Sequence, residues 1–414
     1  MPAGRVVLAL GNQRSDARNM ITLSKRIASI SESMTIAISS KAKAMKAQGE
    51  DIVDFGVGEP DFDTPPHIKR AAADAIAEGY TKYTPTPGSP ELRQAVANKF
   101  KRDNRLGYEP SQIILSCGAK HSLFNVILAT CREGDQVIIP APYWVSYPEI
   151  VKAAGAESVL LPTDEQAAFK ISPRQLEDAI TPATKLFILN SPSNPTGIVY
   201  SREELHALAQ VILKTSNLYV LSDEIYETLV YEDASHTSIA SLPGMYDRTI
   251  VVNGFSKAYA MTGWRLGYAA GPKEIIKACA RLQSHSTSGA CSISQKAGLT
   301  ALTGDQECVE EMRCEFDRRR KRIVTGLNAI KGINCVEPTG AFYAFPNVSS
   351  YFGKQIKGHE IAGSMDLAQL CLEEAKIAVV PGCAFGDDRF IRLSYATSVE
   401  NIDEGLTRLG KLLE

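Results

Sequence analysis

Short, nearly unbroken apolar runs alternate along this chain with longer segments in which apolar residues recur every three or four positions. Ile113–Ser116, Gln136–Ile139, Lys185–Leu189, Leu218–Ser222 and Thr249–Asn253 have the length and β-branched content of strands buried on both faces. Between such runs, Thr64 before Pro65 opens a segment with Ile68, Ala71, Ala72, Ala75 and Ile76 on one helical face, and Gly79 closes it. Ser89 before Pro90 opens another, backed by Leu92, Ala95, Val96 and Phe100, and Ser201 with Glu204 forms a capping box ahead of Leu205 and Leu208. Strand and helix in alternation predict an α/β fold, a mainly parallel sheet with helices on both faces.

A helical pattern over Val309–Ile330 ends that region. Beyond it, Cys335–Glu337, Ala341–Phe345, Ala378–Val380 and Phe390–Leu393 read as strands around the helical segments Leu367–Ala375 and Asn401–Leu413. This is an α+β arrangement, so residues 61–305 are expected to form a large domain and 306–414 a smaller one. Residues 1–22 lack hydrophobic pattern, and the run Val6–Leu10 is too short for a secretory signal. They are expected to be a disordered extension, a targeting segment, or the product of a start assigned ahead of Met20.

Composition narrows the class. A net charge of −2 and a pI near 6.4, without a basic stripe, give no footprint for nucleic acid. The one basic run, Arg318-Arg319-Arg320-Lys321-Arg322, reads as the solvated face of the long helix, the alternative being a subunit or membrane-surface contact. Nine cysteines without a C-x-x-C predict neither a disulfide framework nor a zinc site, so no metal is expected and a reducing, cytoplasmic location fits. No apolar run approaches the roughly 18 residues of a membrane span.

Chemistry concentrates where the apolar runs stop. Thr249–Asn253 runs through Gly254 to Ser256 and Lys257, with Arg265 eight residues on; Leu218–Ser222 runs into Asp223 and Tyr226. Lys185–Leu189 runs into Asn190-Ser191-Pro192-Ser193-Asn194-Pro195-Thr196-Gly197, and Ile113–Ser116 into Cys117-Gly118-Ala119-Lys120. Ligands of open α/β sheets collect outside such carboxyl ends. A desolvated lysine beside a hydroxyl and an arginine suits an aldehyde that also carries a phosphate, as pyridoxal phosphate does. Asp223 can hold a protonated pyridine nitrogen; Tyr226 or Asn194 can reach the phenolic oxygen. Gly118 and Ala119 open a helix whose N–H groups face a phosphate, to which Ser256 and Arg265 add donors.

The chain is identified on these residues as resembling fold-type I pyridoxal-phosphate aminotransferases of class I, specifically aspartate aminotransferases of the bacterial Ib type. The matching segments are Gly58–Pro65, Lys82-Tyr83, Gly118–Lys120, Pro142–Pro148, Asn190–Gly197, Ser222–Tyr226, Ser256-Lys257, Thr262–Arg265 and Arg392–Thr397. The resemblance implies that residues 23–60 join the small domain, and that Tyr83 contacts the phosphate of a neighbouring subunit, making the active unit a homodimer. It favours stacking of Trp144 on the cofactor ring over simple core packing. Arg392, an arginine inside an apolar strand, fits a substrate α-carboxylate. Gly58 offers backbone where a side chain would meet substrate. Lys120 follows Gly118-Ala119, where the family has a glycine pair; it either binds a distal carboxylate or lies near the phosphate or in solvent.

The implied reaction is amino transfer between L-aspartate and 2-oxoglutarate, with Lys257, Asp223 and Tyr226 as catalytic residues and Lys257 both holding the cofactor and moving the Cα proton. The alternatives are a prephenate or aromatic aminotransferase, a pyridoxal-dependent C–S lyase or oxidase, and a non-enzymatic pyridoxal-phosphate sensor, which would want a basic DNA-binding domain that the short extension cannot supply.

Overall fold

The computed structural model describes residues 24–32 and 34–414; the expected extension 1–22 lies outside the described residues. Among the described residues, fourteen strands follow in order. β1 is Val53–Asp54; β2 is Ile113–Ser116, β3 Gln136–Ala141, β4 Glu157–Pro162, β5 Thr184–Asn190, β6 Tyr219–Asp223, β7 Thr249–Gly254 and β8 Gly267–Ala270. The remaining six are β9 Tyr343–Ala344, β10 Gln355–Ile356, β11 His359–Glu360, β12 Ile377–Ala378, β13 Val380–Pro381 and β14 Ile391–Ser394.

The main sheet has the order β2-β8-β7-β6-β5-β3-β4, parallel except for β8, which runs antiparallel to both neighbours. Period-two alternation explains why its central strands are apolar throughout. Val137 and Ile139, Leu186 and Ile188, and Leu221 face helices carrying Leu123, Ile127, Ile150 and Val151. Ile138, Phe187, Leu189 and Val220 face the opposite layer, with Leu205, Leu208 and Ile212 of the helix Arg202–Leu213. The α/β class with helices on both faces is borne out. The Ser201 capping box is present: Ser201 Oγ accepts from Glu204 N at 3.2 Å, and Glu204 Oε2 accepts from Ser201 N at 2.7 Å.

A second sheet, β13-β14-β9, is antiparallel, and β1 pairs in parallel with β12. These strands share a core with the helices Glu307–Ala329, Ser364–Glu374 and Val399–Leu413. Val53 and Phe55, near the start of the described chain, are thereby packed with Ile377, Leu393 and Ile402.

Four expectations are corrected. Cys335–Glu337 forms no strand, because the side chain of Asn328 takes the backbone groups a neighbour would need: its Oδ1 accepts from Cys335 N at 2.8 Å and its Nδ2 donates to Cys335 O at 3.1 Å. The helix begins at Pro66, and Thr64 does not cap it. Its hydroxyl donates to Ala260 O at 2.7 Å and accepts from Trp264 Nε1 at 2.9 Å, while Ile76, expected on the buried face, is exposed.

The basic run is not a solvated face. Arg318, Lys321 and Arg322 sit at the surface, but Arg319 and Arg320 are buried. Arg320 donates to Asp317, Glu337 and Glu232 at 2.7–2.8 Å and to Pro338 O at 3.2 Å; Arg319 bonds Asp61 at 2.7 Å and Glu315 at 2.8 Å. The run therefore ties the long helix to three loops. Arg320→Ala removes these ties and the buried stem that packs beneath them, and urea unfolding should show a loss of about 2 kcal/mol. A midpoint unchanged from the parent would refute this structural role.

Candidate active site

The carboxyl ends of β2, β5, β6 and β7 open into one cavity of about 480 Å³, closed on its far side by β9, β14 and the segment Gly56–Glu59. Ala119, Lys120, Trp144, Asn194, Asp223, Tyr226, Ser256, Lys257, Arg265, Gly58 and Arg392 all line it. Gly118 lies just behind this lining, in contact with Arg265. Tyr83 stands apart, almost fully exposed and outside the lining.

Lys257 sits three residues beyond β7. Its Nζ donates to Gly58 O at 2.5 Å, between the rings of Phe342 at 5.6 Å and Tyr226 at 5.8 Å. Enclosure of the ammonium, reinforced by Arg392 and Arg265 and opposed by Glu59 and Asp223, brings its pKa down to about 8. Asp223, the last residue of β6, is buried. Its Oδ2 accepts from Tyr147 Oη at 2.7 Å and its Oδ1 from Ile225 N at 3.3 Å. Burial raises its pKa to about 6 in spite of those two neutral donors. Asn190 fixes the backbone beside it, donating to Asp223 O at 3.0 Å and accepting from Asn194 N at 2.9 Å.

The helix Ala119–Thr130 starts directly behind Gly118, which holds a φ of +90°. A Cβ there would fall 2.4 Å from an Arg265 Nη atom, and one on Gly267 would fall 2.3 Å from Ala119 N. Two bare backbones thus let the helix start lie against Arg265 and β8. Arg265 itself donates to Thr262 O at 2.9 Å and to Cys117 O at 3.4 Å.

Across the cavity, Arg392 is buried in β14. Its Nη1 donates to Asn194 Oδ1 at 3.1 Å and its Nη2 to Gly56 O at 2.7 Å, while its Nε has no hydrogen-bond partner among the described residues. Burial lowers its pKa. Lys120 stays exposed at the rim, with Nζ 4.8 Å from the Trp144 ring centroid; partial desolvation and then Arg265 lower its pKa. At Gly58 the constraint is Tyr343, whose Oη would lie 2.9 Å from an added Cβ.

Residues to which the sequence assigns no role also line the cavity: Tyr147, Tyr343, and the face of the helix Met34–Ala47 carrying Thr35, Ile36, Ser39, Ser40 and Lys43. Tyr147 had a signal, three residues past Trp144 in the same aromatic segment. The polar face of Met34–Ala47 looks like any solvated helix.

A lysine with depressed pKa, a buried carboxylate without a cationic partner in hydrogen-bond reach among the described residues, and a glycine-lined cradle at a helix start fit pyridoxal phosphate. The fold and cavity define an enzyme that works with this cofactor. The chain belongs to the family of class I and II aminotransferases, whose profile matches residues 50–409. It is 50% identical over 396 residues to the aspartate aminotransferase of Geobacillus stearothermophilus, covering 95% of this chain and 99% of that one. It is 49% identical over 392 residues to the aspartate/prephenate aminotransferase of Cereibacter sphaeroides, with 94% and 98% covered. The crystal structure of the Rhizobium meliloti aspartate aminotransferase superposes with a TM-score of 0.92 at 46% identity, over 95% of this chain and 99% of that one.

Proposed function

We propose that this aminotransferase moves the amino group between L-aspartate and 2-oxoglutarate. The observation that carries the reading is a pair of cations on one cavity: buried Arg392, with Nε unpartnered among the described residues, and Lys120 at the rim. A dicarboxylic amino acid can place its α-carboxylate on the Arg392 fork and its distal carboxylate on Lys120. The names of the relatives agree with this substrate class. Prephenate also carries two carboxylates, so the same cations admit it, and the likeness to the Cereibacter sphaeroides enzyme favours it as a second amino acceptor.

When bound, pyridoxal phosphate supplies an aldehyde carbon and an electron-withdrawing ring that acidifies the Cα–H bond of an attached amino acid. Gly118, Ala119, Ser256 and Arg265 would hold its phosphate, Trp144 its ring face, and Asp223 its ring nitrogen, with Tyr226 and Asn194 at the phenolic oxygen. Lys257 Nζ would carry the cofactor at rest. Freed by substrate, the same buried amine, its pKa brought down to about 8, is suited to accept the Cα proton. Gly58 O and the neighbouring rings keep that amine over the cavity.

Exposed Tyr83, remote from its own cavity, suits contact with the phosphate of a second copy, and hence a homodimer with shared sites in the cytoplasm. The pairing of β1 with β12 supports grouping residues 23–60 with 306–414 as the small domain, with 61–305 as the large one. Among the described residues no helix is long and apolar enough to cross a membrane.

The test is selective. A charge contact to a carboxylate is worth roughly 1.5–3 kcal/mol, so Lys120→Ala should lower kcat/KM for aspartate about tenfold to a hundredfold and leave alanine or an aromatic amino acid nearly unchanged. Equal losses on charged and uncharged substrates would assign Lys120 to the cofactor or the fold and remove the main physical support for aspartate.

A further inference from the structure

Tyr343 joins the two halves of the site. It lies in β9, opposite Ser394 of β14, so its strand neighbours that of Arg392. Its side chain is buried, and its ring centroid lies 4.5 Å from the Arg392 guanidinium carbon. Its hydroxyl is 2.7 Å from the hydroxyl of Tyr226, the rings meeting edge to face at 5.7 Å. The missing side chain of Gly58 is what lets that hydroxyl sit there.

Two hydroxyls sharing one hydrogen bond need one donor. If Tyr226 donates to Tyr343, it has no proton left for the cavity. If Tyr343 donates, the proton of Tyr226 is turned outward, and the bond behind it strengthens it as a donor. An anionic oxygen in front of Tyr226 selects the second arrangement. The charged and titratable groups acting on the pair are Arg392 and Asp223, while Lys257 Nζ lies 5.8 Å from the Tyr226 ring. Burial raises the pKa of both tyrosines, so neither hydroxyl gives up its proton to solvent.

We propose that Tyr343 is a positioning residue for transamination: its hydroxyl donates to Tyr226 and aims the Tyr226 proton at the cofactor's phenolic oxygen, while its ring seats Arg392 for the substrate carboxylate. The first half rests on the reading that Tyr226 faces that oxygen. One side chain then supports both the group that tunes the cofactor and the group that orients substrate.

The experiment is an absorbance titration against pH of the cofactor-loaded protein, in the parent, Tyr226→Phe, Tyr343→Phe and the double variant. Loss of the Tyr226 donor should raise the midpoint by about one pH unit, and Tyr343→Phe alone by a few tenths of a unit. The double variant should match Tyr226→Phe. No shift in Tyr226→Phe would sink the reading of Tyr226 itself. A shift there with none in Tyr343→Phe, or a further shift when Tyr343→Phe is added to Tyr226→Phe, would overturn the role of Tyr343. Tyr343→Phe keeps the ring and should keep KM for aspartate, whereas Tyr343→Leu removes the ring and should raise KM about tenfold. An unchanged KM in the leucine variant, with its melting temperature preserved, would overturn the Arg392 half.

Discussion

Lys257→Ala protein is expected to bind pyridoxal phosphate and yet turn over no amino acid, with kcat reduced by at least about 10⁴-fold. Binding survives because the other contacts do not pass through the lysine: the cradle at Gly118, Ser256 and Arg265 and the carboxylate of Asp223 remain. Turnover fails because, among the described residues, the other lysines lining the cavity, Lys43 and Lys120, are exposed and not held in the same way. The lysine that also lines the cavity near the cradle, Lys120, is exposed and directed over Trp144. Hydride reduction of the loaded parent, followed by peptide mass analysis, should find the cofactor on the peptide containing Lys257. Recovery on Lys120, or an alanine variant within about tenfold of the parent, would show that the proton-transfer group lies elsewhere.

Asp223→Asn should abolish most turnover and, at the same time, stabilise the unloaded protein. Burial raises the Asp223 pKa to about 6 in the folded chain, against about 3.9 for an unfolded aspartate. The folded state therefore holds this proton more tightly than the unfolded state. Its contribution is fully present below about pH 4 and is lost as pH rises through about 6, leaving a cost of roughly 3 kcal/mol near neutrality. Asparagine keeps the shape and can still accept from Tyr147 without the buried charge. Thermal melts of unloaded protein should place the variant above the parent at about pH 7.5, with the gap closing towards pH 4. Adding cofactor should reverse the order, because only the carboxylate favours a protonated ring nitrogen. If the unloaded variant melts lower than the parent at both pH values, Asp223 serves the fold and not the cofactor.

The strand ends bearing Lys257, Asp223 and Asn190 are legible in the sequence because a strand buried on both faces leaves its first polar residue conspicuous. Ser256 and Arg265 follow within a few residues and can be read by proximity. What escapes is whatever a local pattern cannot encode. Tyr147 meets Asp223 across 76 residues of chain and Tyr343 meets Tyr226 across 117, and in a list of aromatics neither differs from a core residue. The burial of Arg319 and Arg320 depends on Asp61, Glu232 and Glu337, carboxylates from loops remote from the long helix, so a local charge pattern points the wrong way. Cys335–Glu337 has strand composition, but a single amide, Asn328, satisfies its backbone first.

The pairing of β1 with β12 also sets an order of events on the ribosome. Val53 and Asp54 emerge 324 residues ahead of their partners Ile377 and Ala378. At about 5–20 residues per second, the gap is on the order of tens of seconds. Throughout it Val53 and Phe55 stay without the neighbours that bury them, and Gly58 and Arg392 cannot face each other. A truncated nascent chain therefore exposes an apolar segment that chaperones can engage, and its cavity lacks the wall that Arg392 supplies. Competence arrives only once the chain through Arg392 has been made.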